Sequence, residues 1–159
     1  MEYIVYTDGA CSVSKRIGGY AAIACFDGQQ IVLHGNKWNA TNNEMELLAV
    51  NSILHVLERM INKNDSVIIH SDSAYVVNAI NQKWLKGWVK NSWQTSEGRP
   101  VKNKRLWSEL LYCIDYFGNI GVKCTFVKVK GHSDCKLNNY VDRLAVKETE
   151  RLKNKQLED

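Results

Sequence analysis

Hydrophobic and polar positions change their period several times along the chain, and each change marks an element. Tyr3, Ile4, Val5 and Tyr6 form an unbroken apolar and aromatic run that leads into Thr7-Asp8-Gly9. Such a run suits a central strand covered on both faces, and it presents the Asp8 carboxylate at its end. Gly18-Gly19 opens a second apolar run to Phe26, Asp27-Gly28 supplies hairpin chemistry, and Ile31 to Gly35 returns as a third strand, an antiparallel meander. The period then lengthens. Thr41-Asn42-Asn43-Glu44 has capping-box spacing, and Met45, Leu48, Ala49, Ile53, Val56, Leu57 and Met60 recur at helical intervals. Val67 to Ser71 is a short apolar strand that delivers Asp72, repeating the pattern of Asp8. Strand, helix, strand implies a parallel pair with a right-handed crossover. With the two strands as neighbours, Asp8 and Asp72 stand side by side at the carboxyl edge of a mixed sheet, at its topological switch point.

The remaining pattern predicts a short helix over 73–80 capped by Ser71 or Ser73, a helix from Leu106 to Tyr116, and a strand from Val122 to Lys130. A last helix follows, capped by Asn138 or Asn139, with Val141, Leu144, Ala145 and Leu152 inward, and the polar tail over 154–159 reads as frayed. This is one α/β domain over 1–153, without repeat or linker.

Composition narrows the function classes. With 159 residues, 45% of them hydrophobic, the chain is long enough for one self-sufficient core, and no apolar run reaches membrane-spanning length. No secretory signal is visible, and the five cysteines (Cys11, Cys25, Cys113, Cys124, Cys135) lack the paired short spacing of zinc or redox motifs. They read as free thiols in a reducing, cytoplasmic compartment. His34, His55 and His70 stand in no catalytic context. The net charge of +4 is unremarkable, but its distribution is not: Gln82 to Arg105 holds seven cations and one acid, so the rest of the chain is net negative. Tryptophans set among those cations suit a phosphate backbone with aromatic contacts to sugar or base; alternatively, Trp84 and Trp88 anchor the inner face of a solvated helix.

Four acids share comparable placements, Asp8 and Asp72 at strand ends and Glu46 and Asp142 in what read as first helical turns. For Glu46 alone, favourable interaction with the helix dipole is sufficient explanation. Four carboxylates at one sheet edge, however, repel strongly unless divalent cations neutralise them. All-oxygen ligation suits Mg²⁺ or Mn²⁺, and two ions about 4 Å apart form the clamp used for in-line phosphoryl displacement.

Thr7-Asp8-Gly9, Thr41-Asn42-Asn43-Glu44-Met45-Glu46-Leu47, Ser71-Asp72-Ser73-Ala74-Tyr75-Val76, the tryptophan-rich basic segment, and Gly131-His132 followed by Asn138 and Asp142 together resemble type 1 ribonuclease H, also called ribonuclease HI. The similarity is co-linear from about residue 3 to 145. It implies a ribonuclease H-like fold: a five-stranded mixed sheet, its fourth and fifth strands parallel to the first, flanked by helices on both faces. It also implies an endonuclease that cuts the RNA strand of RNA–DNA hybrids with little sequence specificity, as a monomer, leaving 5′-phosphate and 3′-hydroxyl ends. Asp8, Glu46, Asp72 and Asp142 would hold two Mg²⁺ ions, with Mn²⁺ as a substitute, and His132 would assist water activation or product release. Cys11, Asn42 and Asn43 match minor-groove contacts, and Thr41 and Asn103 match a pocket for a DNA phosphate. Lys86, Trp88, Lys90 and Trp93 belong to a basic protrusion over about 82–105 that lies against the DNA strand, and Asn138 is carried over as a further contact. The chain departs from the family pattern at Ser12–Ile17, where a Gly/Pro-rich loop is common, at Asp134, where Gly is usual, and at Asn139, where Glu is frequent. A hybrid-binding module without catalysis would have lost an acid, and none is lost.

Overall fold

The structure, a computed structural model, describes residues 1–12, 14–131 and 134–158. The apolar run at the N-terminus becomes the middle of a five-stranded sheet. Its strands are β1 (Glu2–Ser12), β2 (Ile17–Phe26), β3 (Gln29–Trp38), β4 (Ser66–Ser71) and β5 (Lys123–Lys128), ordered β3-β2-β1-β4-β5. β1 to β3 form the antiparallel meander, while β4 runs parallel to both β1 and β5. Asp27 and Gly28 both have positive φ, 48° and 72°, in the two-residue loop between β2 and β3; paired positive-φ residues give a turn whose twist matches that of the strands.

β1 is longer than the apolar run predicts. Asp8 pairs with Ala21 of β2, and the ladder to β2 continues to Ser12, whereas the parallel ladder to β4 stops at Thr7 and Ser71. Asp8 is therefore fixed by one neighbour and opens onto the crevice left by the other.

Helices cover both faces, as expected. α1 (Asn42–Glu58), α2 (Ala74–Asn81), α3 (Trp84–Lys90) and α4 (Lys104–Asn119) belong with the larger core, in which Val5, Leu54, Ile69, Trp107 and Phe117 are buried together. α5 (Lys136–Glu158) packs Val141 and Ala145 against Ala21 and Ile23 on the other face. Alternation along β1 explains the division: Tyr3 and Val5 face the larger core, and Tyr6 faces α5. Two polar anchors add direction. Buried Asn51 of α1 donates to Leu106 O of α4 at 3.0 Å, and buried Glu148 of α5 lies 2.7 Å from both His34 Nδ1 and Asn36 Nδ2 of β3.

The structure refines several local expectations. The capping box at α1 is half formed: Thr41 Oγ1 accepts from Glu44 N at 3.2 Å, but the Glu44 carboxylate takes Lys37 Nζ at 2.7 Å instead of reaching back. α1 ends at Glu58, so Met60 lies outside its apolar stripe and is 36% exposed. α2 is capped by Ser73, whose Oγ accepts from Val76 N at 3.2 Å, and Ser71 Oγ accepts from Ser73 N. α5 starts at Lys136, which places Asn138 and Asn139 inside its first turn rather than at its cap. Its helical backbone continues to Glu158, past the boundary expected at 153, through residues that include neither Gly nor Pro. Among the described residues, no helix is long and apolar enough to cross a membrane.

α5 docks on a glycine. A Cβ on Gly19 would lie 2.2 Å from Ala145 O and 2.8 Å from Thr149 N, both helix backbone. Gly19→Ala should therefore push α5 off β2 and cost about 1–3 kcal/mol as overpacking, read as a lower urea midpoint at unchanged m-value.

Candidate active site at the carboxyl edge of the sheet

The site is built where the parallel register ends. Thr7 pairs with Ser71, so the next residue on each strand, Asp8 and Asp72, emerges side by side at the same edge. Glu46 reaches this edge from α1 because β1 carries Gly9 at the crossing: a Cβ there would sit 2.6 Å from Glu46 N and 2.7 Å from Met45 C. Asp142 comes from α5 on the opposite face. All four acids line one pocket of about 370 Å³, together with Asn42, Asn43 and Tyr75.

Within that pocket, single carboxylate oxygens of Asp8, Glu46 and Asp72 lie within 4.8 Å of one another. Asp8 and Glu46 are each only 4% exposed. Gly9 N donates to Asp8 Oδ1 at 2.8 Å, and Glu46 and Asp142 are close enough to bear on the protonation of Asp8. This arrangement is electrostatically frustrated. Burial, the Asp72 charge and nearby Asp142 push Asp8 up to about 8. Burial and the charges of Asp8 and Asp72 raise Glu46 well above the usual carboxylate range. Two buried acids thus share protons at neutral pH when nothing else balances their charge. Glu46 Oε2 is buried and has no hydrogen-bond partner among the described residues, although Glu46 lines the pocket. A divalent cation with oxygen preference fits this donor set, since it would replace the shared protons and satisfy that oxygen.

The sequence placed Glu46 and Asp142 in first turns, and here it is corrected. α1 begins at Asn42 and α5 at Lys136, so both acids lie in second turns, with Glu44 the acid in the first turn of α1. The dipole explanation for Glu46 weakens accordingly, because that effect fades within one turn. His132 lies outside the described residues.

The expected nucleic-acid contacts divide into two groups. Asn42 and Asn43 are exposed at the rim of the acidic pocket. Cys11, Arg16, Thr41 and Asn42 line an adjoining cavity of about 520 Å³, where Cys11 Sγ donates to Ala40 O at 3.2 Å. Asn103 stands at a left-handed turn (φ 60°) before α4 and donates through Nδ2 to Tyr75 Oη at 3.2 Å. Lys86 and Lys90 are exposed on α3. Trp88 and Trp93 are half-buried: Trp88 packs its ring edge-on to Trp107 at 5.4 Å, and Lys104 Nζ lies 5.8 Å from the Trp93 ring centre. Trp84, not assigned a contact from sequence, is the tryptophan of α3 that is 43% exposed. Asn138 is 2% exposed and donates Nδ2 to Lys130 O at 3.3 Å, tying α5 to the loop after β5.

Sequence reading also passed over the role of Tyr75. Its hydroxyl accepts from Trp107 Nε1 at 2.9 Å as well as from Asn103, so one phenol in the pocket wall ties α2 to the end of the basic segment. Its place three residues after Asp72 was the available signal.

The pH dependence of the metal-free protein follows from the shared protons. Asp8 is pushed up to about 8 in the folded state against 3.8 for an unperturbed aspartate, so the folded chain binds the extra proton and stability declines as pH rises through that window. In EDTA the melting temperature should fall between about pH 4 and 8. Asp8→Asn should flatten this slope and raise the melting temperature at pH 8 by a few degrees, at ~2–4 °C per kcal/mol. Added Mg²⁺ should raise that of the unmodified chain.

Comparison with known proteins converges on one family. The RNase H family model matches residues 1–150. A protein named Ribonuclease H from Caldicellulosiruptor saccharolyticus is 46% identical over 144 residues, covering 91% of this chain and 93% of its own. One from Clostridium botulinum is 43% identical over 147 residues, covering 91% and 93%. Among solved structures, LC9-RNase H1, described as a type 1 RNase H with the type 2 active-site motif, superposes with a TM-score of 0.73 at 22% identity, covering 93% of this chain and 72% of that one. LC11-RNase H1 in complex with RNA/DNA hybrid gives 0.66 at 16% identity, covering 94% and 98%. With these matches spanning nearly its whole length, the chain belongs to the RNase H family.

Proposed function

We infer that the acidic pocket hydrolyses the RNA strand of RNA–DNA hybrids, with Asp8, Glu46, Asp72 and Asp142 holding two Mg²⁺ ions, for which Mn²⁺ substitutes. The observation that carries this reading is the convergence of three carboxylates within 4.8 Å, two of them buried, at the carboxyl edge of the sheet. The activity itself is supported by relatives named Ribonuclease H at more than 40% identity. When bound, such ions polarise a phosphoryl oxygen and lower the pKa of water.

The chain's own residues do the rest. Gly9 N fixes one oxygen of Asp8, and the paired ladder to β2 fixes its backbone, so the ligand set needs little rearrangement on binding. Asn42 and Asn43 at the rim offer amide donors and acceptors to a ribose 2′-hydroxyl, the group by which a protein tells RNA from DNA. The exposed Lys86 and Lys90 bind the opposite strand through phosphates, which positions a duplex without reading its sequence. Trp84 adds an exposed ring beside them, while Trp88 and Trp93 support the segment from within. His132 takes part in water activation or product release. Products carry 5′-phosphate and 3′-hydroxyl ends.

The test compares labelled RNA–DNA hybrid, duplex RNA and duplex DNA, each with Mg²⁺ or EDTA. Only the RNA strand of the hybrid should be cut, only with the cation. Duplex RNA degraded as fast as the hybrid would overturn the substrate assignment. Asp72→Asn should lower kcat at least ~10²-fold. Lys86→Ala with Lys90→Ala should instead raise KM and reduce the salt dependence of binding by roughly two counterions, leaving kcat in place.

A further inference from the structure

A second group of potential ligands lies away from the acidic pocket, between α1 and α4. His55 and Glu58, three residues apart, share one face of α1 near its C-terminal end, and Cys113 comes from α4. One ligand atom from each lies within 4.8 Å of the other two. The Cys113 thiol donates to Glu58 Oε1 at 2.8 Å, with its sulfur 3.9 Å from His55 Nδ1, and His55 Nδ1 is 3.9 Å from Glu58 Oε2. Around a tetrahedral zinc-class ion, sulfur and imidazole nitrogen stand about 3.6 Å apart, and nitrogen and carboxylate oxygen about 3.4 Å, given the usual metal–ligand bond lengths. The sulfur and the Glu58 oxygen, 2.8 Å apart as a hydrogen bond, must part to about 3.6 Å to complete that arrangement.

We propose that His55, Glu58 and Cys113 form a binding site for a divalent ion of the zinc class, which clamps α1 to α4. The ligand chemistry separates this site from the acidic pocket: one thiolate and one imidazole favour Zn²⁺, Cd²⁺ or Co²⁺ over Mg²⁺. Access is provided by the His55 side, where the imidazole side chain is 48% exposed and that of Glu58 22%, while Cys113 itself is buried. A water from that open side takes the fourth position. On binding, the Cys113 S–H bond breaks and its proton goes to solvent. The sulfur then exchanges its hydrogen bond to Glu58 for a bond to the ion, and the carboxylate turns one oxygen to the same ion. Without metal the thiol is quiet, because burial and the Glu58 carboxylate keep it protonated. The clamp would couple the helix that carries Glu46 to the helix that follows the basic segment. The cysteine spacing in the sequence hides it, since Cys113 lies 58 residues from His55.

Co²⁺ titrated into the full chain under saturating Mg²⁺ tests this. The expected result is one Co²⁺ per chain with thiolate-to-cobalt charge-transfer absorption, retained in Asp8→Asn, lost in Cys113→Ala, and weakened in affinity by more than ~100-fold in His55→Ala, beyond what even an outer partner is worth. Zn²⁺ should raise the melting temperature of the unmodified chain and not of His55→Ala. No charge-transfer absorption, or absorption that persists in Cys113→Ala, overturns the proposal. Should Cys113→Ala fail to fold, His55→Ala and Glu58→Gln decide it, and unchanged cobalt affinity in both overturns it. An all-oxygen pocket gives no sulfur-to-metal absorption, so this outcome is independent of how the acidic pocket behaves.

Discussion

Repulsion among like charges with little water between them is the constraint on which the rest of the architecture bears. Asp8 and Glu46 are almost fully buried, face Asp72 and each other, and hold protons at pH values where an exposed carboxylate would be ionised. Left to itself, a chain would relieve this by letting the acids drift into solvent. This one does not, because each acid is fixed by an element whose position is set elsewhere: Asp8 by the ladder to β2, Glu46 by α1, Asp72 by the end of β4, Asp142 by α5. Hydrophobic burial on both faces of the sheet supplies the stability that the acidic edge withdraws.

Close approach makes the arrangement possible. Two glycines of neighbouring strands, Gly9 and Gly19, let helix backbone come within distances that no side chain tolerates, one on each face. Gly9 admits α1 and Gly19 admits α5, so Glu46 and Asp142 reach one crevice from opposite sides of the sheet. The parallel register, ending at Thr7 and Ser71, supplies the other two acids without any further device.

The basic segment is tied to the same framework rather than hung from it. Tyr75 accepts from both Asn103 and Trp107, and Trp88 packs on Trp107, so the segment carrying the excess of positive charge is anchored at both ends to the core that positions Asp72. Partial burial of Trp88 and Trp93 is the cost of that anchorage, and within the segment the exposed aromatic ring falls to Trp84. The anchoring role that the sequence offered for Trp84 and Trp88 therefore holds for Trp88, while Trp84 is exposed.

The sequence by itself determined the strand order's main features, because apolar runs ending in Asp8 and Asp72 with a helix between them admit few chain paths. It also singled out all four acids and the charge concentration between Gln82 and Arg105, since residue type and spacing along one chain are local properties. Local chemistry misled where a tertiary partner competed: Lys37 took Glu44 from the capping box, and Lys130 O took Asn138 into the interior. Only the tertiary structure decided which tryptophan is exposed, that Tyr75 joins α2 to α4, and that His55, Glu58 and Cys113 meet. These depend on how helices pack across the sheet, and side chains tens of residues apart carry no mark of each other until the core closes around them.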